Sequence, residues 1–371
     1  MLPCQKHLFE IPADVTYLNA ASMSPIPRVG RLAGEAGVAA KSAPWRIERA
    51  ESDERSERAR LAAARLIGAE ADDIAIVGSV SYGIAVAGRN LPLAAGQRVI
   101  GVEGEHASQS LEWDRLAWAS GAVVERVARP ADGDWTAAVL SAIERPGAPP
   151  VGIAALTPQH WTDGSVIDLD RIAPVLRRHG AALVVDATQA AGVLKLDVGT
   201  LRPDFLVFPT YKWVLGPYSL AFLYAAPWRQ DGVPVEQHTI SRDEAGGFLP
   251  GARRYDMGER NNPIAVPIAI AGMELMGEWG QQAVAERLRY LTDLLAERAE
   301  ALGAIVAERH LRVPHVLGLR FAGGVPEGLL ERLAREEVYV SVRGGDVLRV
   351  SPHVFNDEAD VARFAEALGR R

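Results

Sequence analysis

Short unbroken apolar runs alternate along this chain with stretches of helical periodicity. The runs at 73–78, 97–102, 150–156, 181–186 and 205–208 are built from Val, Ile, Leu, Ala and Phe with little polar alternation. That is the pattern of strands covered on both faces, as in a parallel sheet flanked by helices. It predicts an α/β fold with a large domain whose sheet runs from about Tyr17 to about Tyr224. After Asn262 the rhythm changes: 267–279 and 281–302 read as long helices, 316–321, 338–342 and 347–350 as short β runs, and 328–336 and 358–368 as further helices. The expected organisation is an amino-terminal lead over 1–16, a large domain over 17–260 and a smaller α+β domain over 261–371. Residues 227–258, rich in glycine, charge and turn formers, read as a functional loop.

Composition narrows the function classes. Forty Lys and Arg against 47 Asp and Glu give a net charge of −7, and the basic residues are scattered, so no phosphate-seeking field points to nucleic acid. The single cysteine, Cys4, allows no disulfide framework and no multi-thiolate zinc site, and no bound metal is expected. The polar lead lacks the apolar core of a signal peptide, and the longest apolar stretch, 264–276, is broken by Glu274, so neither secretion nor a membrane span is expected and the cytoplasm is the default compartment.

Candidate chemistry concentrates after two of the strands. Asp186 closes an apolar run, and in open α/β sheets the carboxyl ends of strands carry the ligand-binding groups. Lys212 follows 26 residues later, after a second such run, flanked by Tyr211, Trp213 and the Gly216-Pro217 turn. An ammonium in apolar, aromatic surroundings loses hydration, its pKa falls, and its neutral amine can attack a carbonyl. A lysine for a Schiff base and a carboxylate to hold a pyridinium protonated are what pyridoxal phosphate requires. Ser79, Val80 and Ser81, in Gly78-Ser-Val-Ser-Tyr-Gly83, sit between a strand and an apolar helix-like stretch, the order in which backbone N–H groups and a helix dipole favour an anion.

Together these segments resemble the class V aminotransferase family, fold-type I pyridoxal-phosphate enzymes that include cysteine desulfurases, selenocysteine lyases and kynureninases. The resemblance extends from Tyr17-Leu-Asn-Ala-Ala-Ser22 to Leu348-Arg-Val-Ser-Pro-His-Val-Phe-Asn356. It implies pyridoxal 5'-phosphate as cofactor, with Lys212 as the Schiff-base lysine and Asp186 as the partner of the pyridine nitrogen. By the same resemblance Gln189 meets the cofactor's phenolic oxygen, and His106, in Glu105-His106-Ala107-Ser108, stacks on its ring. Ser79, Val80 and Ser81 form the phosphate cup, with Tyr211 where kynureninase-like members bond the phosphate. Arg349 is implied as the arginine that binds the substrate α-carboxylate, where a planar fork suits a carboxylate. Arg343 is a second candidate for that task, and Asn19 and Trp161 are candidates for the substrate pocket. The family also implies a homodimer with active sites near the subunit interface.

Departures from the family pattern bear on the reaction. Residues 338–350, where desulfurases carry a persulfide-forming cysteine, contain none. His160-Trp161-Thr-Asp-Gly164 stands where many members have a Ser-Asn pair. Glu259 occupies a common threonine position in the segment that reaches a partner's phosphate, which leaves Asn261, Asn262 or a compensating Arg260 for that contact, with Asn262 taken as cofactor-binding. The expectation is an enzyme acting on a small amino acid, foremost an aminotransferase. A β-eliminating lyase is the alternative, and an epimerase or a non-catalytic cofactor-binding protein comes after it.

Overall fold

A computed structural model describes residues 1–370 of the chain. Thirteen strands follow the sequence: β1 Thr16–Tyr17, β2 Ile74–Val77, β3 Arg98–Val102, β4 Val123–Val127, β5 Val151–Leu156, β6 Ala182–Asp186, β7 Phe205–Pro209, β8 Ala221–Ala225, β9 Ile305–Val306, β10 Leu317–Arg320, β11 Val338–Tyr339, β12 Ser341–Arg343 and β13 Val347–Val350. Seven of them form one sheet in the order β2-β8-β7-β6-β5-β3-β4, in which β8 alone runs against its neighbours. Every residue of β2, β6, β7 and β8 is buried, as their unalternating Val, Ile, Leu and Phe content requires of strands with both faces covered.

The sequence expectation missed β4 because it is an edge strand. Val123-Val-Glu-Arg-Val127 pairs only with β3, and one of its five residues is buried, so it lacks the apolar continuity of a covered strand. The expected start of this sheet near Tyr17 is corrected. Thr16–Tyr17 pairs in parallel with Val338–Tyr339, and Asn19 bridges Ser351, so the opening segment is sewn to the carboxyl-terminal part of the chain. A two-residue strand carries no local mark of its partner; Thr16 N–H, Leu18 N–H and Ala20 N–H find acceptors on Glu337, Tyr339 and Ser351 instead.

The helices Ala265–Trp279 and Gln281–Ala301 fall where expected, followed by a four-stranded antiparallel sheet in the order β12-β13-β10-β9. No helix among the described residues is long and apolar enough to cross a membrane. Parallel alignment of β2, β3, β5, β6 and β7 brings their carboxyl ends to one edge of the sheet, and the residues that follow them build the site.

Candidate active site

A cavity of about 230 Å³ opens at that edge. It is lined by Ser79, Val80 and Ser81 after β2, Glu105 and His106 after β3, Thr157 and Trp161 after β5, Asp186 and Gln189 at the end of β6, and Tyr211 and Lys212 after β7. Nine of the residues expected from the sequence thus converge on one space.

The turn after β2 is set by its own hydroxyls. Ser79 Oγ accepts from Tyr82 N–H at 3.1 Å and caps the helix Val80–Asn90, while lying 3.0 Å from Ser81 Oγ. The cup therefore offers two hydroxyls and the positive end of an eleven-residue helix. The helix sits close to the sheet because residue 83 is glycine: a Cβ there would stand 2.7 Å from the Val207 side chain.

Lys212 is held by a tight loop after β7. Gly216 N–H donates to Thr210 C=O at 2.8 Å, and a Cβ on Gly216 would meet the Thr210 side chain at 2.5 Å, so only glycine closes this turn. The ammonium lies 5.4 Å from the centre of the Tyr211 ring. Burial, and after it the positive charge of Arg349, brings the Lys212 pKa down to about 8. Asp186 is buried and accepts one backbone bond, from Thr188 N–H at 2.8 Å. Burial drives its carboxyl above the usual carboxylate range. Burial also lowers His106, whose ring meets Trp161 edge-on at 5.3 Å between centres.

Arg349, Arg343 and Asn19 stand beyond the cavity lining and are joined to it through Trp161. The centres of both guanidinium groups lie 5.9 Å from the Trp161 ring centre. Arg349 is 1% exposed and donates to Trp161 C=O and to Ser22 Oγ, each at 2.8 Å. Arg343 donates to the same Ser22 Oγ at 2.7 Å, and Ser22 Oγ in turn donates to Asn19 Oδ1 at 2.7 Å. Asn262 is not among the lining residues. Its side chain accepts from Ile264 N–H and Ala265 N–H, capping the next helix, and Arg260 turns inward to Asp256 rather than toward Glu259.

Two features escaped the sequence reading. Gln189 was expected to serve a ligand, yet its amide is anchored at both ends: Oε1 accepts from Trp213 Nε1 at 2.7 Å and Nε2 donates to Ala21 C=O at 3.0 Å, leaving one Nε2 hydrogen. Sequence pattern marks Glu105 only as the neighbour of His106. In the cavity wall it accepts from His106 N–H and Thr157 Oγ1, and burial, with the negative charge of Asp186 adding to it, lifts its pKa to about 7. The strand-end rule that picked out Asp186 would also have picked out Thr157, the first residue after β5.

Buried charges in a folded protein are normally paired. Here Asp186, Lys212, Arg343 and Arg349 surround one site, and none has a salt-bridge partner among the described residues. The pattern is that of a protein shaped around charged ligands. A pyridine ring that carries a proton, an aldehyde and a phosphate matches the Asp186 carboxylate, the Lys212 amine and the serine cup, so the residues present fit pyridoxal phosphate.

Comparison with known proteins agrees. The family model "Aminotransferase class-V" matches residues 47–364. Isopenicillin N epimerase of Streptomyces clavuligerus is 27% identical over 384 residues, covering 95% of this chain and 94% of that one. Among solved structures, cysteine desulfurase from Thermococcus onnurineus NA1 superposes with a TM-score of 0.86 at 19% identity, over 100% of this chain and 98% of its own. A lysine-to-alanine mutant of C-DES, with glycine covalently linked to its PLP cofactor, superposes with a TM-score of 0.85 at 20% identity, over 98% and 99% of the two chains. The fold is thus that of fold-type I enzymes, and the chain belongs to the class V aminotransferase family, whose members are pyridoxal-phosphate-dependent enzymes.

Proposed function

We propose that this protein transfers the amino group of a small amino acid, with Lys212 as the acid–base group at the substrate Cα and Arg349 as the anchor of the α-carboxylate. The observation that carries the reading is the placement of a lysine with its pKa brought to about 8 in the same cavity as a buried carboxylate that makes no salt bridge among the described residues. Pyridoxal phosphate, when bound, supplies an aldehyde that links to an amine and a ring that draws electrons from the substrate carbon. Ser79, Ser81 and the helix amino terminus would hold its phosphate. Asp186 would keep its ring nitrogen protonated, and His106 would cover one face. A Lys212 amine that is substantially neutral near pH 8 can take a proton from Cα and return it. Arg349 fixes the carboxylate, and Trp161 limits the room left for the side chain.

Epimerisation is the second reading, supported by the epimerase relative that spans nearly the whole chain. Both reactions begin with the same proton removal and differ in where the proton returns. A single-turnover panel of L-amino acids in deuterated water separates them. Amino transfer yields one equivalent of 2-oxo acid per site without added acceptor. Epimerisation yields deuterated D-amino acid and no oxo acid, and would replace the proposal. Pyruvate with an expelled β-substituent would replace both in favour of a lyase.

A homodimer is part of the same reading. The helix Arg28–Lys41 exposes Val29, Leu32 and Val38 by 48%, 56% and 54%, beside an apolar groove lined by Pro25, Ile26, Ile264 and Ile268. Ser24 N–H bonds to Tyr211 C=O at 3.0 Å, so this surface is continuous with the site, and exposed Asn262, two residues before Ile264 of the groove, would face the partner. Leu32→Glu should place a charge in the contact and shift the protein from dimer to monomer in sedimentation velocity. An unchanged sedimentation coefficient would move the interface elsewhere.

A further inference from the structure

The other buried arginines among the described residues are matched by acids: Arg60 and Arg260 with Asp256, Arg98 with Glu125, Arg287 with Glu358 and Arg312 with Asp293. The pair beside Trp161 is not. Both guanidiniums donate an Nη2 hydrogen to one acceptor, Ser22 Oγ, at 2.7 and 2.8 Å, so the two nitrogens lie within about 5.5 Å of each other, twice a hydrogen-bond length. Their remaining partners are neutral carbonyls, Val342 for Arg343 and Trp161 for Arg349. Both Nε atoms are buried without an acceptor. Two like charges so close repel, and burial of Arg349, reinforced by Arg343, brings its pKa down to about 9. Among the described residues no carboxylate pairs with either guanidinium, and the phosphate of the proposed cofactor is assigned its own cup at Ser79 to Ser81.

One α-carboxylate would neutralise one of the two charges and leave the other in place. We propose that the substrate is an amino acid with a second carboxylate on a short side chain, the α-carboxylate held by Arg349 and the side-chain carboxylate by Arg343. This rests on the amino-acid reading above and narrows it to a dianionic class. The separation of the guanidiniums suits carboxylates two or three carbons apart, and the half-buried position of Arg343 puts the second anion on the solvent side of the first. Trp161, in contact with both cations, is the apolar surface along which the short carbon chain would lie.

The test uses two readouts. Succinate, glutarate and butyrate are titrated into the cofactor-loaded protein by calorimetry, and L-aspartate, L-glutamate and L-alanine are compared as substrates. A charge-assisted contact is worth roughly tenfold to a hundredfold in affinity. The dicarboxylates should therefore bind at least ~10-fold more tightly than butyrate, and in Arg343→Gln that ratio should fall to near one. Arg343→Lys, which keeps the charge without the fork, should restore part of the ratio and so separate loss of recognition from loss of folding. If wild type shows no preference for dicarboxylates, or if Arg343→Gln weakens butyrate and succinate equally, the two arginines clamp one carboxylate and the proposal is overturned. Turnover of alanine with no gain for aspartate or glutamate would overturn this inference alone. Failure of all amino acids to react would remove the underlying functional reading as well.

Discussion

Lys212→Ala should lower turnover of any amino-acid substrate by at least about 10³-fold, because covalent linkage and proton transfer at Cα fall on the same amine. The variant should still take up pyridoxal phosphate, since the serine cup and Asp186 are untouched, but borohydride should no longer fix the cofactor to the protein. A pH profile supplies an independent check on cofactor-free protein. With its pKa near 8, the amine is mostly neutral above that pH, whereas an ordinary lysine becomes so only above about 10.4. At pH 7.5 the neutral fraction of Lys212 should exceed that of a surface lysine by more than ~100-fold. Competitive labelling with an amine-directed reagent, read by mass spectrometry, should therefore rise between pH 7 and 9 at Lys212 and level off there. In Arg349→Gln the profile should move to higher pH, because the cation whose repulsion adds to the burial effect is gone. A wild-type midpoint near the ordinary lysine value would remove the basis for an activated amine.

How far the sequence anticipated this site follows from what each residue depends on. Asp186 ends a strand, and Lys212, His106 and the Ser79 to Ser81 turn each follow one within four residues, so strand recognition placed them together once the sheet was taken as parallel. Ser22, which joins the arginines, comes from a segment bonded to residues more than 300 positions away, and nothing local encodes that contact. Edge strand β4 was invisible because its exposed face does not need apolar residues. The anchoring of Gln189 by Trp213 and Ala21 depends on three separate segments, so sequence could identify the amide and not how much of it was already engaged. Segment 254–262 was the least legible: a sequence view of its charges set Glu259 against Arg260, while packing directs Arg260 to Asp256.

That last pairing carries the second large effect. Asp256→Ala should cost about 3–5 kcal/mol of stability, the range for removing one partner of a buried ion pair. Asp256 is fully buried, and its oxygens accept from Arg60 Nη1 at 2.9 Å and Nη2 at 2.5 Å, while Arg260 Nε stands 3.2 Å away as an ion-pair partner. Its removal leaves two guanidiniums side by side in the interior. The acids then left are half-exposed Glu57 at 3.1 Å for Arg60 and Asp53 at 3.6 Å for Arg260, beside the neutral carbonyls of Ile74 and Ile240. The effect should reach the cofactor site, because Asp256 Oδ1 also accepts from Ile76 N–H at 2.8 Å, and Met257 N–H donates to Ile76 C=O. Ile76 lies in β2, two residues before the turn at Gly78 that opens the phosphate cup, so loss of Asp256 should weaken pyridoxal phosphate binding along with stability. Asp256→Asn keeps an oxygen for Ile76 N–H and loses the charge; it should destabilise strongly yet retain more cofactor affinity than Asp256→Ala. Urea unfolding of cofactor-free protein and a fluorescence titration with pyridoxal phosphate measure the two effects separately. Equal cofactor affinity in the two variants would mean that the cup is positioned by the strand pairing of β2 with β8 alone.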